Sequence, residues 1–279
     1  MFKNKYLGVD IGSGKILLNY KDKLYEIETP EDTIDSGAIS HVENLSAAIK
    51  TLVSENKLKG KKAVISYNGP SIFTKIIELP IMSDSEIKNY LKLEIETIVP
   101  FPVEEGSLDY IEISKEQRSM EILIIALKND LVLPYIQVVK EAGLIPYVID
   151  IPALAIARFI LKEKEEGLQL IIDIGTSSSN IHIYLDSVFR FSRSIRIGGN
   201  NLDNFNDFRR ELERSIDYFR YGYGNRELTQ FTIAYLIGEN NTIDGLKETV
   251  EQVIGVKPTV MDDSKGILAK GLGLWRDKA

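Results

Sequence analysis

The stretch YLGVDIGSGKILLNY, Tyr6–Tyr20, contains a glycine-rich turn that could be taken for the end of a P-loop. A P-loop requires a glycine five positions before its second glycine and a Ser or Thr after its lysine, because that hydroxyl holds the magnesium ion. Here Val9 stands five positions before Gly14, and Lys15 is followed by Ile16. The stretch is therefore not a P-loop.

The same stretch predicts a β-hairpin with an acidic residue at its tip. Apolar strands stand on either side of the turn Gly12-Ser13-Gly14, and Asp10 comes directly before it. Glycine allows a tight turn whose backbone N–H groups can face a phosphate. By itself the motif is equally consistent with a hairpin that uses glycine for geometry alone.

A second stretch with the same order of residues favours a ligand-binding role for these turns over a purely geometric one. In QLIIDIGTSSSNIHIYL, Gln169–Leu185, a strand is followed by Asp173, Gly175 and the small polar turn Thr176–Ser179. A duplicated unit would place the two Asp-Ile-Gly turns face to face across a cleft. We expect the turns to clamp a polyphosphate, with the carboxylates of Asp10 and Asp173 holding a metal ion through water.

Composition excludes several classes of protein. The chain has 279 residues, of which 44% are hydrophobic, so it can bury a large core. It has no cysteine, which excludes disulfides and thiolate metal sites, and its two histidines make a multi-histidine metal centre a poor interpretation. The net charge of −7 and the lack of a basic stripe argue against binding to nucleic acid or anionic lipid.

No run reaches the length of a membrane span, and MFKNKYLGVD enters a strand without room for a signal peptide. We therefore expect no direct membrane insertion, and membrane association only through a partner.

The order of apolar periods predicts an α/β chain in two lobes. The first lobe spans residues 1–165, with an inserted partner-binding subdomain at about 80–145, and the second spans 166–279. In the insert, Ser83 and Glu86 form a capping box that starts a helix, which Pro100 ends. The charged run Lys162–Gly167 is the expected hinge between the lobes, although it is equally consistent with a solvated helix end. In each lobe the pattern predicts three strands, a helix, a strand and a helix.

This arrangement resembles the ribonuclease-H-like lobes of the actin, sugar-kinase and Hsp70 superfamily, and one branch matches in more detail. The chain resembles the PilM family, actin-like cytoplasmic proteins of type IV pilus assembly. The similarity extends over nearly the whole length, in YLGVDIGSGK, KGKKAVISYNGPSIFTKIIELPIMSDSEI, LEIETIVPFPVEEGSLDY, AGLIPYVIDIPALAIAR, IIDIGTSSSNIHIY and IRIGGNNL with ELERSIDYF. The Pro-Phe-Pro segment, with its acidic residues and Leu108-Asp109-Tyr110, is specific to this branch.

The resemblance implies an actin-like fold with an extra subdomain in the first lobe, and a ligand site between the turns. ATP and Mg²⁺ are its expected ligands, and the metal would lie at Asp10 and Asp173. The residues assigned to the ligand are Asp10, Gly12, Ser13, Gly14, Lys15, Asp173, Gly175, Thr176, Ser177, Gly198, Gly199 and Gly238. Lys15 is equally consistent with a solvated strand residue.

Two departures from the family pattern predict that nucleotide binding is weak or lost. The helical segment that usually follows the Gly-Gly turn is abbreviated, so the second lobe is shortened where it would cover the adenosine. After the late strand, Glu239 stands in the turn Ile237–Asn241 where bare backbone would normally approach the nucleotide. Phosphate contacts can persist without adenosine contacts.

Three functions remain open at this point. The resemblance implies a scaffold that captures the N-terminal cytoplasmic tail of a PilN-like membrane protein, is recruited to the inner face of the cytoplasmic membrane, and meets the pilus motor ATPases. Leu91, Ile95 and Phe101 are the candidate partner-binding residues, although such an apolar helix stripe usually belongs to a core. The alternatives are an active ATPase of the actin superfamily and, with least support, a small-molecule kinase. No catalytic residue is assigned.

Overall fold

The structure, a computed structural model, describes residues 5–161, 165–201, 205–223, 230–238, 240–261 and 265–277. The predicted hinge residues 162–164 and Glu239 lie outside the described residues. The chain divides into two compact units: the first comprises Met1–Pro70 and Tyr135–Ala279, and the second comprises Ser71–Pro134.

The described elements alternate between strands and helices along the chain. The strands are β1 (Leu7–Ile11), β2 (Lys15–Tyr20), β3 (Lys23–Glu28), β4 (Ile34–Asp35), β5 (Ala38–Ile39), β6 (Lys62–Ser66), β7 (Phe73–Pro80), β8 (Gly106–Lys115), β9 (Ser119–Lys128), β10 (Ile145–Asp150), β11 (Leu168–Ile174), β12 (Ser179–Leu185), β13 (Val188–Ile195), β14 (Phe231–Gly238) and β15 (Thr259–Val260). The helices are α1 (Val42–Glu55), α2 (Asp84–Ile98), α3 (Asn129–Glu141), α4 (Pro152–Ile160), α5 (Phe205–Tyr223), α6 (Asn240–Ile254) and α7 (Ile267–Gly273), with short 3-10 turns at Val103–Glu105 and Gly199–Asn201.

The first unit contains two five-stranded sheets with the same topology. In the first sheet the order is β10-β6-β1-β2-β3, and in the second it is β15-β14-β11-β12-β13. Each sheet combines an antiparallel meander of three strands with two further strands that run parallel to the first strand of the meander. The two halves of the unit are thus structural repeats, as the repeated Asp-Ile-Gly turns predict.

The strands β11 and β12 of the second sheet are buried on both faces, as their largely apolar sequences favour. On one face, Leu170, Ile172, Ile181 and Ile183 form a core with the apolar stripes of α5 and α6. On the other face, the Tyr184 hydroxyl donates to the Ala153 carbonyl at 2.5 Å and so ties the sheet to α4. This packing holds β11, the strand that leads into the second Asp-Ile-Gly turn.

Close backbone packing and a hydrogen bond from Arg158 hold α7 against α4. A Cβ on Gly271 would lie 1.9 Å from the carbonyl oxygen of Ala155, so the two helices touch through their backbones. Arg158 donates one hydrogen bond to the Gly271 carbonyl at 2.8 Å and pairs with Asp150 through its other nitrogen. Burial raises the pKa of Asp150, and the Arg158 guanidinium opposes this rise by favouring the charged carboxylate.

The second unit is a three-stranded antiparallel sheet covered by α2. The strand order is β7-β9-β8, so β9 is central and the other two strands form the edges. The predicted capping box is present: the Ser83 side chain accepts from the Glu86 backbone N–H, and the Glu86 carboxylate accepts from the Ser83 N–H at 2.7 Å. The core between sheet and helix includes Ile87, Leu91 and Ile95.

Candidate functional site

The two Asp-Ile-Gly turns line one cavity of about 650 Å³ in the first unit. A cavity of this size is typical of a small-molecule site. It lies at the carboxyl ends of β1 and β11, where each strand turns back into its hairpin. The predicted ligand residues that line it are Asp10, Gly12, Ser13, Gly14, Lys15, Asp173, Gly175, Thr176, Ser177, Gly199 and Gly238.

The two turns have the same backbone hydrogen bond. The Gly12 N–H donates to the Lys15 carbonyl at 3.0 Å, and the Gly175 N–H donates to the Ser178 carbonyl at 2.9 Å. The repeats differ in what faces the acidic residue across the hairpin: Asp10 pairs in register with Leu17, whereas Asp173 pairs with Asn180. Of the two carboxylates, that of Asp173 alone therefore has a polar neighbour on the second strand of its own hairpin.

The turns also touch each other directly, and we call this contact the clasp. The Ser13 and Ser177 hydroxyl oxygens are 3.1 Å apart, within hydrogen-bond distance. A Cβ on Gly14 would lie 2.5 Å from the Thr176 hydroxyl oxygen, so only glycine fits there without a shift of the threonine. Two hairpins from the two sheets thus meet over the cavity they line.

The predicted glycine pair after β13 supports the second turn. Gly198 does not line the cavity; a Cβ there would lie 2.5 Å from the Ser178 nitrogen and 2.7 Å from the Gly175 carbonyl oxygen. The next residue, Gly199, donates its N–H to the same Gly175 carbonyl at 2.9 Å. The glycine pair therefore lets the chain pass against the backbone of the turn, with Gly199 at the cavity wall.

The carboxylates of Asp10 and Asp173 are both harder to ionise than usual. Burial, and next the nearby Asp173 charge, raise the pKa of Asp10 to about 7. Burial raises the pKa of Asp173 to about 6, while a hydrogen bond from Asn180 opposes the rise. Asp10 Oδ1 is buried and has no hydrogen-bond partner in the described structure. A buried acceptor of this kind favours a ligand, water or cation that supplies the missing contact.

The site offers few protein ligands to a metal. In the described part of the chain, no group of three or more His, Cys, Asp or Glu side chains could hold an ion. Asp10 and Asp173 fit a magnesium ion as oxygen ligands, because Mg²⁺ is usually bound through one or two carboxylates while water and phosphate complete its shell. The protein would contribute these two carboxylates, and the ligand would contribute the rest.

Several residues that sequence reasoning missed also line the cavity. They include Asn68, after β6, Tyr135 on α3, and Lys265, just before α7. The Tyr135 hydroxyl donates to the Gly37 carbonyl at 2.9 Å, and Gly37 lines the cavity too. None of these residues belongs to a repeated motif, so no local signal marked them.

The lysines at the cavity are partly neutralised. Lys15 lies 4.0 Å from Glu28, and Lys265 forms a salt bridge with Glu26 at 2.6 Å. Both acidic partners belong to β3, the third strand of the first sheet's meander. The cavity therefore combines backbone N–H groups, two carboxylates and two lysines that already have acidic neighbours.

The three candidate partner-binding residues lie in the second unit, apart from the turns in sequence. Leu91 and Ile95 are in its core with 4% and 6% of their surface exposed, so their side chains do not offer a surface in this structure. Phe101 is partly exposed and packs on that core, and its ring lies 2.3 Å from where a Cβ on Gly106 would stand. Of the three, Phe101 alone presents part of its side chain to solvent.

The paired sheets, the repeated turns and their shared cavity define a protein of the actin-like ATPase fold. A solved PilM-PilN type IV pilus biogenesis complex is similar at a TM-score of 0.79 and 20% identity, over 97% of this chain and 98% of that one. A Bacteroides thetaiotaomicron protein with an actin-like ATPase fold and unknown function is similar at 0.57 and 12% identity, over 98% and 97%. The cytoplasmic domain of EpsL, an inner membrane component of the Vibrio cholerae type II secretion system, is similar at 0.55 and 9% identity, over 98% and 96%.

A comparison of the amino-acid sequence with models of protein families identifies the family of this chain. The family model described as type IV pilus assembly protein PilM matches residues 8–208, which is most of the chain, and the chain belongs to this family. The predicted family and the predicted actin-like fold are thereby confirmed. No helix within the described residues is long and apolar enough to cross a membrane.

Proposed function

We propose that this chain is a cytoplasmic scaffold of type IV pilus assembly that binds the N-terminal tail of a PilN-like membrane protein. The observation that carries this proposal is the family match over residues 8–208. Similarity along nearly the whole chain to the protein of a PilM-PilN complex supports it. Binding to the tail recruits the scaffold to the inner face of the cytoplasmic membrane, where pilus motor ATPases are its further partners.

The outer edge of β8 is the surface on which we place the tail. Among the described strands, none pairs with β8 on the side away from β9. An open strand edge presents a row of free backbone N–H and C=O groups, to which an extended peptide can add as a further strand. At ten residues, β8 is the longer of the two edges of this sheet and can pair with a correspondingly long tail.

Apolar side chains at the start of β8 give this edge its anchors. Phe101 packs against Gly106, the first residue of the strand, and Leu108 exposes 37% of its surface two residues further on. Alternate side chains of an added strand can reach both residues. Leu91 and Ile95 support the edge from the core beneath it, and direct contact with the tail would require α2 to move.

Removing these anchors is expected to weaken binding of a synthetic PilN-like tail peptide by about tenfold or more. The two variants are Leu108→Asp, which sets a charge where the proposed peptide side chain lies, and Phe101→Ala, which removes the aromatic contact. Isothermal titration calorimetry gives the affinities, and thermal melting verifies that each variant is folded.

Leu93→Asp is the matched control, because Leu93 is an apolar residue of the same unit, is 81% exposed, and lies on α2 instead of the strand edge. It should leave the affinity unchanged. Equal losses in all three variants would show that the tail binds apolar surface without using the edge. Unchanged affinity in both edge variants would place the groove elsewhere.

The cavity supports a second part of the proposal: it binds phosphate groups but holds ATP weakly and does not turn it over usefully. The turns can direct backbone N–H groups at phosphates, and Asp10 and Asp173 fit a magnesium ion. Affinity for a nucleotide also requires burial of its base. The chain from the Gly198-Gly199 pair reaches α5 at Phe205 within a few residues, which leaves little protein to cover an adenine.

Calorimetry with ATP and Mg²⁺ tests this part of the proposal. We expect dissociation constants weaker than about 0.1 mM, which is about −5.5 kcal/mol of binding free energy. Micromolar binding that the Asp10→Ala variant abolishes would contradict the proposal, and would favour the alternative of an active ATPase of the actin superfamily.

A further inference from the structure

One end of the first sheet gathers lysines that are far apart in sequence. Because β1, β6 and β10 run parallel, with Leu7 beside Ala63 and Ile145 beside Lys62, their first residues lie at the same end. The turn between β2 and β3 joins them there, since β2 is antiparallel to β1. We call this the basic end; its lysines are Lys5, Lys21, Lys23, Lys59, Lys61 and Lys62, and the carboxylate of Asp22 lies in the same turn as Lys21.

Aromatic rings hold several of these lysines in place. The ammonium groups of Lys21 and Lys61 lie 5.4 Å and 5.3 Å from the centre of the Tyr20 ring, one from each of two loops. The Lys62 ammonium lies 4.1 Å from the Tyr147 ring. A cation over an aromatic face is attracted by the ring quadrupole, so the positive charges are positioned without being neutralised.

Most lysines of the basic end form no ion pair with another described residue. Lys5 pairs with Asp277 at 3.0 Å, but within the described chain no ion pair involves Lys21, Lys59, Lys61 or Lys62. The whole chain carries a net charge of −7, so this concentration of positive charge stands out from the rest of the surface.

Apolar and aromatic groups are exposed among the lysines. Ile145 and Tyr147, at the start of the edge strand β10, expose 49% and 38% of their surface. Aromatic rings with a polar tip and lysines with long apolar stems are the side chains that settle at the boundary between water and lipid. The basic end thus combines the two attractions that hold a peripheral protein on an anionic bilayer.

We propose that the basic end binds an anionic lipid surface directly, as a peripheral contact without insertion. A long nucleic acid fits less well, because it would extend beyond this end onto a surface whose remaining charge is negative. The choice of a bilayer over an acidic protein rests on the proposed function, in which the partner is a membrane protein and the scaffold works beside the membrane. The cavity lies at the opposite end of β1, so lipid contact leaves its mouth free.

The test uses the full chain with vesicles of phosphatidylcholine and phosphatidylglycerol in equal parts, and with pure phosphatidylcholine vesicles. We expect co-sedimentation with the anionic vesicles alone, and its loss at high salt, because the attraction is screened. Each lysine near an anionic surface contributes about fivefold in affinity, so the triple variant K21Q/K61Q/K62Q should bind about a hundredfold more weakly.

The matched control is K75Q/K92Q/K257Q, which removes the same charge from exposed lysines elsewhere. It should sediment like the native chain. Failure of the native chain to bind anionic vesicles, or equal losses in both triple variants, would overturn the proposal. Binding to polyglutamate without binding to vesicles would also overturn it, and would assign the basic end to an acidic protein.

The vesicles contain no PilN-like protein, and tail affinity is measured without lipid. A failure here is therefore distinguishable from a failure of the proposed function. Lipid binding without tail binding would support the lipid contact of the basic end and contradict the proposed scaffold function. Tail binding without lipid binding would support the scaffold function and contradict the lipid contact.

Discussion

At pH 8, in the absence of metal and nucleotide, the Asp10→Asn variant is expected to be more stable than the native protein by about 2–4 kcal/mol. The native carboxylate has to be buried in its charged form at this pH, near Asp173 and without a hydrogen bond to Oδ1. The amide of asparagine is neutral and avoids that cost. A residue that destabilises the fold is typical of a ligand site.

The expected pH dependence follows from the direction of the pKa shift. The pKa of Asp10 rises from 3.8 to about 7 on folding, so between these values the folded protein binds more protons than the unfolded chain. Stability contributed by this group is therefore fully present below pH 4 and is lost as the pH rises through 7. The advantage of the asparagine variant should be largest above pH 7 and should shrink towards pH 4.

Urea unfolding in EDTA at several pH values measures the difference. Asp217→Asn is the control, because Asp217 is an exposed aspartate on α5; it should change the free energy of unfolding by less than about 0.5 kcal/mol at every pH. If Asp10→Asn gained nothing at pH 8, or gained most at low pH, the carboxylate would be satisfied in solution by a group other than those described.

Replacing Gly271 with alanine is expected to lower the free energy of unfolding by about 3–5 kcal/mol. The added methyl would stand 1.9 Å from the Ala155 carbonyl oxygen, and a backbone atom cannot rotate away as a side chain can. Relief requires α7 to move, which breaks the bond from Arg158 to the Gly271 carbonyl and loosens the buried ion pair with Asp150.

Gly222→Ala is the matched control within a helix. Apart from its own helix backbone and chain neighbours, no described atom lies within 4 Å of a Cβ at that position of α5, so alanine should be neutral or stabilise by about 1 kcal/mol, since it has the higher helix propensity. Thermal and urea unfolding compare the two variants. Equal stability of both would mean that α7 and α4 have room to separate, and that the contact is not tight in solution.

The sequence predicted the parts of the fold that are encoded locally and repeated. Each Asp-Ile-Gly turn is a short motif flanked by apolar strands, and its repetition predicted both the shared cavity and the two similar sheets. The capping box of Ser83 and Glu86 could also be predicted from the sequence, because its two partners are three residues apart. Such features need no knowledge of distant contacts.

Features that depend on distant segments were missed. Lys265 and Tyr135 reach the cavity from loops and helices with no motif of their own, and β4 and β5 are two residues each, too short for a periodic pattern. The partner-binding roles of Leu91 and Ile95 stay predictions, since a stripe with helical spacing does not reveal which side faces a core. The basic end was overlooked because its lysines come from separate segments that only the parallel pairing of strands brings together.

The clasp has a consequence for how fast a ligand can be clamped. With the Ser13 and Ser177 hydroxyls 3.1 Å apart and Gly14 against Thr176, a phosphate that enters the open cavity can be clamped between the two turns only after they separate. Clamping then follows opening, so the observed association rate should level off at high ligand concentration, at the rate at which the hairpins part. Stopped-flow measurements of this limiting rate would therefore report the lifetime of the clasp, which consists of one hydrogen bond and one van der Waals contact. Removing the Ser13 hydroxyl should raise the limiting rate.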